Sequence, residues 1–97
     1  MNIHIKFFGM FRSAAKTSEL TLQIGEEKPT VRSAISLLVS QQSFASLREM
    51  LLNGDTADPR PNALIMVSGR EISSLSGLDT ALTEKDELSL LPVAHGG

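Results

Sequence analysis

The chain contains no cysteine among its 97 residues. It therefore has no disulfide framework, no zinc site of the CxxC type and no thiol nucleophile. A ferredoxin-type protein is excluded for the same reason, since Cys thiolates hold iron–sulfur clusters. Any chemistry that the chain carries has to come from other groups.

The chain also lacks an excess of positive charge. Nine Lys and Arg residues stand against eleven Asp and Glu residues, and the net charge is -2. A basic excess is the electrostatic signature of proteins that bind nucleic acids or anionic membranes. The composition therefore predicts no direct binding to nucleic acid.

Long apolar runs are missing as well. No stretch of the sequence approaches the roughly 18 consecutive apolar residues of a membrane-spanning helix. The N-terminus begins with a strand-like alternation and not with a signal peptide. These features predict a soluble cytoplasmic protein without membrane contact.

Two N-terminal segments alternate apolar and polar residues, which is the pattern of half-buried strands. The connection between them, residues 9–18, is predicted to be irregular, with Phe11 and Ala14-Ala15 packing over one end of the core. The apolar positions of the two predicted strands are Ile3, Ile5 and Phe7, followed by Leu20, Leu22 and Ile24.

The middle of the chain has helical periodicity. Thr30 is a good N-cap, and apolar residues follow it at helical spacing, so a helix is predicted for residues 30–41. A second, shorter helix is predicted around residues 44–51, ended by Asn53-Gly54.

The stretch Ala63–Val67 is apolar at every position and predicts a central strand. If a helix covers one face of this strand, either Leu64 and Met66 or Ile65 and Val67 must meet something else. That something is either an irregular segment of the chain itself or a docked protein. The sequence leaves the face undecided.

A turn at Ser68-Gly69 and a last strand over residues 87–91 complete the order of elements. Such an order predicts an α+β domain whose sheet is covered on one face. Because Pro92 cannot donate to a sheet ladder, pairing is expected to weaken there, leaving a domain of residues 1–92 and a tail of residues 93–97. At about 3.3 Å per residue the tail would reach about 16 Å.

Three segments of the chain resemble the small subunit of molybdopterin synthase, MoaD. They lie after the first strand, at the start of the main helix and at the C-terminus: Phe7-Phe8-Gly9 with Phe11-Arg12, Thr30-Val31, and Leu91-Pro92-Val93 before Gly96-Gly97.

Two further segments are similar to the ubiquitin-related modifiers that carry sulfur for tRNA thiolation, and to small archaeal modifier proteins. These segments are Leu78-Asp79-Thr80 with Leu82 and Asp86, and the ending His95-Gly96-Gly97. The resemblance implies a β-grasp, ubiquitin-like fold. Its mixed sheet would have four to five strands, with one main helix on one face and a short second helix.

The resemblance implies that the reacting group is the carboxylate of Gly97. A ubiquitin-activating-type enzyme would adenylate it with ATP, and a sulfur-transfer protein would convert it to a thiocarboxylate. The chain would bind no cofactor itself and would not be catalytic alone. Glycines without a Cβ suit passage through a narrow channel to the ATP site. The predicted partner-binding residues are Gly96, His95, Val93 and Pro92 near the terminus, and Leu64 and Met66 on the sheet.

Neither histidine is predicted to be catalytic. His95 lies in the predicted tail, which does not position an imidazole, so it is a recognition residue at most. His4 is expected to be structural or on the surface. No histidine pair has metal-ligand spacing, and no metal site is predicted.

Three functions stay open. The preferred one is a sulfur carrier that works with the large subunit of molybdopterin synthase, a MoaE-like protein, in molybdenum cofactor biosynthesis. The second is a modifier joined through Gly97 to lysines of target proteins, with or without sulfur donation to tRNA. The third is a β-grasp interaction module with no terminal chemistry.

Overall fold

A computed structural model describes residues 1–52 and 57–93. In this part of the chain, α-helices and 3-10 turns pack on one side of a five-stranded sheet whose strand order is β2-β1-β5-β3-β4. The strands are β1 (Asn2–Phe7), β2 (Glu19–Gln23), β3 (Ala63–Val67), β4 (Arg70–Glu71) and β5 (Glu87–Pro92), and the helices are α1 (Gly9–Ala15), α2 (Val31–Ser40) and α3 (Ala45–Leu52).

The sheet is mixed. β1 pairs with β2 in the antiparallel sense and with β5 in the parallel sense, while β3 pairs with β5 and β4 in the antiparallel sense. On the two central strands, Ile5 and Leu88 lie opposite each other and are both fully buried. The predicted N-terminal, third and last strands are therefore confirmed.

α2 begins at a reciprocal cap. The Thr30 side chain accepts from the Ser33 backbone N–H at 3.2 Å, and the Ser33 hydroxyl accepts from the Thr30 N–H at 2.8 Å. This capping box satisfies backbone donors that a helix start leaves unpaired. The stripe of Val31, Ala34, Ile35 and Leu38 is buried against the sheet, which confirms the main predicted helix.

α3 follows a 3-10 turn (Gln42–Phe44) and buries Leu47 and Leu51, so the second predicted helix is also confirmed. Its predicted end at Asn53-Gly54 lies outside the described residues. Among residues 1–52 and 57–93, every helix is too short or too polar to cross a lipid bilayer.

The connection between β1 and β2 is a helix, and the prediction of an irregular segment there is wrong. α1 starts at Gly9 and ends at Lys16, whose φ of 61° places it in the left-handed region and whose N–H donates to the Arg12 carbonyl at 2.9 Å. The usual start signals are missing, since Phe8 gives no side-chain cap and the first turn has no acidic residue. Phe11 is buried, as predicted.

The expected weakening of sheet pairing at Pro92 is also wrong. Pro92 pairs with Ala63, and the N–H of Val93 donates to the Asn62 carbonyl at 3.1 Å. This bond shows that Ala63 and Pro92 form a non-hydrogen-bonded pair of the antiparallel ladder. Because the residue at position 92 donates no hydrogen bond to β3, a proline there removes none. Residues 94–97 lie outside the described residues, and the division into residues 1–92 and 93–97 stays a prediction.

Candidate functional site

β3 presents opposite faces to the helices and to the outside. Its buried residues, Ala63, Ile65 and Val67, point to the helical side, and Leu64 and Met66 point to the other side, which we call the open face. This alternation follows from the two-residue period of a strand. The face that the sequence left undecided is therefore the one carrying Leu64 and Met66.

An apolar patch occupies the half of the open face nearest the end of β5. Leu64 lies opposite Leu91 on the neighbouring strand, and strand parity brings Phe8, Met66 and Val93 to the same face. Phe8 is 41% exposed, while Leu64 and Val93 are each 38% exposed. Clustered apolar side chains that no other part of the described chain covers are typical of a protein-binding surface.

Val93 is both a member of the apolar patch and the last residue before the C-terminal four. Its backbone is held to β3 through the Asn62 carbonyl. The Asn62 side-chain amide in turn donates to the Leu51 carbonyl in α3 at 3.0 Å. The end of β5 is therefore tied to both layers of the domain.

Gly9 fixes the other side of this exit point. It has a φ of +54°, and a Cβ built on it would lie only 3.0 Å from Cγ of Pro92. Glycine is needed here for the backbone conformation and for the close approach of the proline. The packing of Gly9 on Pro92 joins the start of α1 to the end of β5.

The second half of the open face is charged. Lys6 and Glu87 form an ion pair of 3.3 Å, and Nδ1 of His4 lies 3.2 Å from Oγ1 of Thr21. These side chains and Glu19 line an open cavity of about 270 Å³. The pair is solvent-exposed, so it contributes little to stability. We call this half the charged strip.

Asp58 has the largest change in acidity among the described carboxyl groups, and it lies before β3. Hydrogen bonds from the Arg60 guanidinium and backbone lower the pKa of Asp58 from 3.8 to about 2. The pairing explains the shift without a functional role. Within residues 1–52 and 57–93, no group of three or more His, Cys, Asp or Glu side chains is arranged to hold a metal ion.

The structure brings three predicted partner-binding residues together on one face. Leu64, Met66 and Val93 share the apolar patch, whereas Pro92 has the opposite parity and packs on Gly9. The other predicted site residues, His95, Gly96 and Gly97, lie outside the described residues.

Sequence analysis missed Phe8 and Leu91 as members of this surface. The signal was present in both cases. Phe8 is out of phase with the inward residues of β1, and Leu91 is out of phase with the buried Leu88 and Leu90. A large apolar residue on the outward parity of a strand end is the pattern to look for.

This mixed five-stranded sheet, with helices on one face and a chain that leaves from an apolar patch on the other, defines a β-grasp, ubiquitin-like domain, as predicted. Small archaeal modifier protein 1 of Methanosarcina acetivorans has the same fold, with a TM-score of 0.78 and 28% identity over 99% of this chain and 96% of that one. Urm1 of Trypanosoma brucei gives a TM-score of 0.71 and 25% identity over 99% and 95%.

Comparison with sequence relatives identifies the family within this fold. A candidate sulfur carrier protein of Archaeoglobus fulgidus is 34% identical over 86 residues, which are 89% of this chain and 94% of the relative. Small archaeal modifier protein 3 of Haloferax volcanii is 25% identical over 100% of both chains. The chain belongs to the family of ubiquitin-like sulfur carriers and protein modifiers. It matches no family model.

A complex of subunits 1 and 2 of the molybdopterin-converting factor of Helicobacter pylori contains a chain of the same fold. The TM-score is 0.61, with 21% identity over 100% of both chains. At this identity the likeness concerns the fold alone.

Proposed function

We propose that the chain is a sulfur carrier whose Gly97 carboxylate is activated by a ubiquitin-activating-type enzyme. The observation that carries the proposal is the apolar patch, because its last member, Val93, leads directly into the four C-terminal residues. A partner that covers the patch receives the terminus at the same time. The sulfur carrier among the sequence relatives supports the same chemistry.

Activation is needed because a carboxylate is a poor acyl donor at neutral pH. The activating enzyme transfers AMP from ATP to a Gly97 oxygen and releases pyrophosphate. The terminal sulfur of a persulfide on a sulfur-transfer protein then attacks the acyl carbon, and AMP leaves with the C–O electron pair. A second thiol reduces the resulting acyl disulfide, leaving the thiocarboxylate on Gly97. ATP is used by the enzyme, and this chain supplies only the acyl group.

The residues before Gly97 have distinct tasks in this proposal. Pro92 and Val93 hold the exit point on the sheet, where Gly9 and Asn62 anchor them. His95 contacts the partner, and Gly96 with Gly97 fits a channel too narrow for side chains.

The apolar patch serves as the docking surface for the activating enzyme. Leu64 and Met66 form its part on β3 and are presented by a strand whose other face is locked in the core. The acceptor protein uses the same patch after activation, since the terminus has to reach both partners from the same exit point.

Two acceptors fit this cycle. As the small subunit of molybdopterin synthase, the chain would form a complex with a MoaE-like large subunit and would donate its sulfur in the reaction that this complex catalyses. The two-subunit complex from Helicobacter pylori, which contains a chain of this fold, supports that assignment. As a modifier, it would be joined through Gly97 to target lysines or would donate sulfur for tRNA thiolation. The full-length similarity to small archaeal modifier protein 3 supports this second assignment.

ATP–pyrophosphate exchange with a purified cognate activating enzyme tests the proposal. The wild-type chain should support exchange, and deletion of Gly97 should abolish it. Gly25→Ala is the matched control, because a Cβ at Gly25 has no atom within 4 Å. Equal exchange with the Gly97 deletion would favour the interaction module. So would a lack of exchange with the wild type, if the same enzyme activates a known carrier in parallel.

The two acceptors are separated by a second measurement. The thiocarboxylated chain is given to the synthase large subunit with the pterin substrate, and in parallel to a cell lysate with ATP. Dithiolene formation supports the synthase assignment, and lysines carrying a Gly-Gly remnant after digestion support the modifier assignment.

A further inference from the structure

Two basic residues lie at the C-terminal end of α1. Arg12 is in its last turn, and Lys16 is the left-handed C-cap residue that follows the helix. They border an open concavity between α1 and the turn that leads to β2. We call it the basic cleft, and its lining residues are Gly9, Arg12, Ser13, Lys16, Thr17 and Ser18.

Neither cation of the basic cleft forms an ion pair within the described part of the molecule. Among residues 1–52 and 57–93, the ion pairs are Lys6 with Glu87, Arg32 with Asp79 and Arg60 with Asp58. The cleft lining contains no carboxylate. In a chain of net charge -2, two cations on a lining without a carboxylate make this cleft locally positive.

The cleft is continuous with the apolar patch. Arg12 and Gly9 also line an adjoining concavity together with Phe8, a member of the patch, and with Glu19. Gly9 itself packs against Pro92 at the end of β5. The basic cleft therefore adjoins the end of β5.

We propose that the basic cleft docks an acidic segment of the partner protein that covers the apolar patch. The carboxylates of that segment lie against Arg12 and Lys16, and the Ser13 and Ser18 hydroxyls donate to it from the rim. This inference rests on the proposed function, in which that partner is the activating enzyme. An extended segment fits the cleft better than a single small anion does, because one cation is in the last turn of α1, the other is at its C-cap, and both are exposed to solvent.

The cleft itself is tested without any partner enzyme. A titration of the ¹⁵N-labelled chain with hexaglutamate at low ionic strength should shift the amide resonances of the cleft residues. The charge-reversal variant Arg12→Glu/Lys16→Glu should lose these shifts. The control variant Arg48→Glu/Lys85→Glu makes the same change in net charge. Arg48 lies on α3 and Lys85 in the turn before β5, so this variant should keep the shifts of the cleft residues.

Two results of the titration would overturn the proposal. One is a set of shifts that centres outside the cleft or survives the Arg12→Glu/Lys16→Glu change. The other is a stronger response of the same amides to inorganic phosphate than to hexaglutamate, which would make the cleft a small-anion site.

The partner's part is tested by activation kinetics. The Arg12→Glu/Lys16→Glu variant should lower kcat/KM for activation by at least about tenfold at low salt, with kcat nearly unchanged, because charge complementarity acts mainly on encounter. Raising the salt should shrink the difference from the wild type. If the wild type is activated and both double variants match it, docking at the cleft is wrong. If the wild type is not activated at all, the proposed function is wrong, and the titration still decides the cleft.

Discussion

The two faces of β3 have similar composition and opposite surroundings. Ala63, Ile65 and Val67 are at most 6% exposed beneath the helices, whereas Leu64, one residue away from Ile65, is 38% exposed on the open face. Burial of the first set stabilises the fold. The second set is only partly buried and stabilises the fold less, and the partner contact proposed above would cover its exposed apolar surface. Under that proposal, one strand serves stability and recognition through alternate residues.

The largest effect on stability is expected on the buried face. Ile65→Ala should lower the free energy of unfolding by about 2–5 kcal/mol, because it removes methyl groups from a site with almost no solvent access and leaves a cavity. Denaturant unfolding followed by circular dichroism measures the change. A loss below about 1 kcal/mol would mean that the core side of β3 is loosely packed.

Gly9→Ala should have the next largest effect on stability. Alanine at a φ of +54° is strained, and its Cβ would meet Cγ of Pro92 at 3.0 Å, so the expected loss is about 1–3 kcal/mol. The same unfolding experiment on Gly25→Ala, where a Cβ finds open space, provides the control. Similar stabilities of the two variants would contradict the packing of Gly9 on Pro92.

On the open face the expected pattern is reversed. Leu64→Ser should lower the free energy of unfolding by about 1–2 kcal/mol, less than Ile65→Ala, since the side chain is only partly buried. The same change should raise KM for the activating enzyme by about tenfold, the effect of losing one apolar anchor in an interface. Lys85→Ser, on the turn before β5, is the surface control. An unchanged KM for Leu64→Ser would mean that the apolar patch does not take part in partner binding.

The smallest effect is expected away from both faces, at Asp58. Its pKa is lowered from 3.8 to about 2 chiefly by hydrogen bonds from Arg60. The carboxylate therefore stabilises the fold above about pH 4, and this contribution disappears as the pH falls towards 2. Asp58→Asn should cost at most about 1 kcal/mol at neutral pH, because the pair is exposed.

Thermal unfolding between neutral pH and pH 2 checks this prediction, with Glu27→Gln as an exposed control that removes the same charge. The gap between wild type and Asp58→Asn should close at the acidic end. A gap that persists at pH 2 would show that the variant acts through something other than the charge of Asp58.

The layer arrangement could be predicted because the local signals agree. Thr30 caps a helix with an apolar stripe, and the alternation of Ile3, Ile5 and Phe7 gives a strand with one buried face. Each of these segments has a period that only one element satisfies. The family resemblance added the β-grasp topology, which order and periodicity alone do not specify.

α1 and the choice of face on β3 could not be predicted, for different reasons. α1 starts at a glycine with positive φ and without a side-chain cap, so the signals that announce a helix are absent. In β3 every residue is apolar, and parity is set by pairing with β5, where Leu64 meets Leu91 and Ile65 meets Leu90. A strand that is apolar throughout carries no information about which face is buried.

The hydrogen-bonding phase of the sheet at Pro92 could not be predicted from the sequence either. Whether a proline interrupts a strand depends on which way its missing N–H would point. That depends on the hydrogen-bonding phase of β5 and β3, which the bond from Val93 to Asn62 reveals. The basic cleft was missed as a consequence of missing α1, because Arg12 and Lys16 border one concavity only when the chain forms this helix and turns at its left-handed C-cap.

The central claim is that sulfur is carried on the carboxylate of Gly97, and mass spectrometry tests it most directly. The chain is incubated with its activating enzyme, ATP and a persulfide donor, and the C-terminal peptide is then fragmented. We predict one sulfur in place of one oxygen, located on Gly97 and absent without ATP. Sulfur on any other residue, or an unmodified terminus beside a positive control carrier, would contradict the claim.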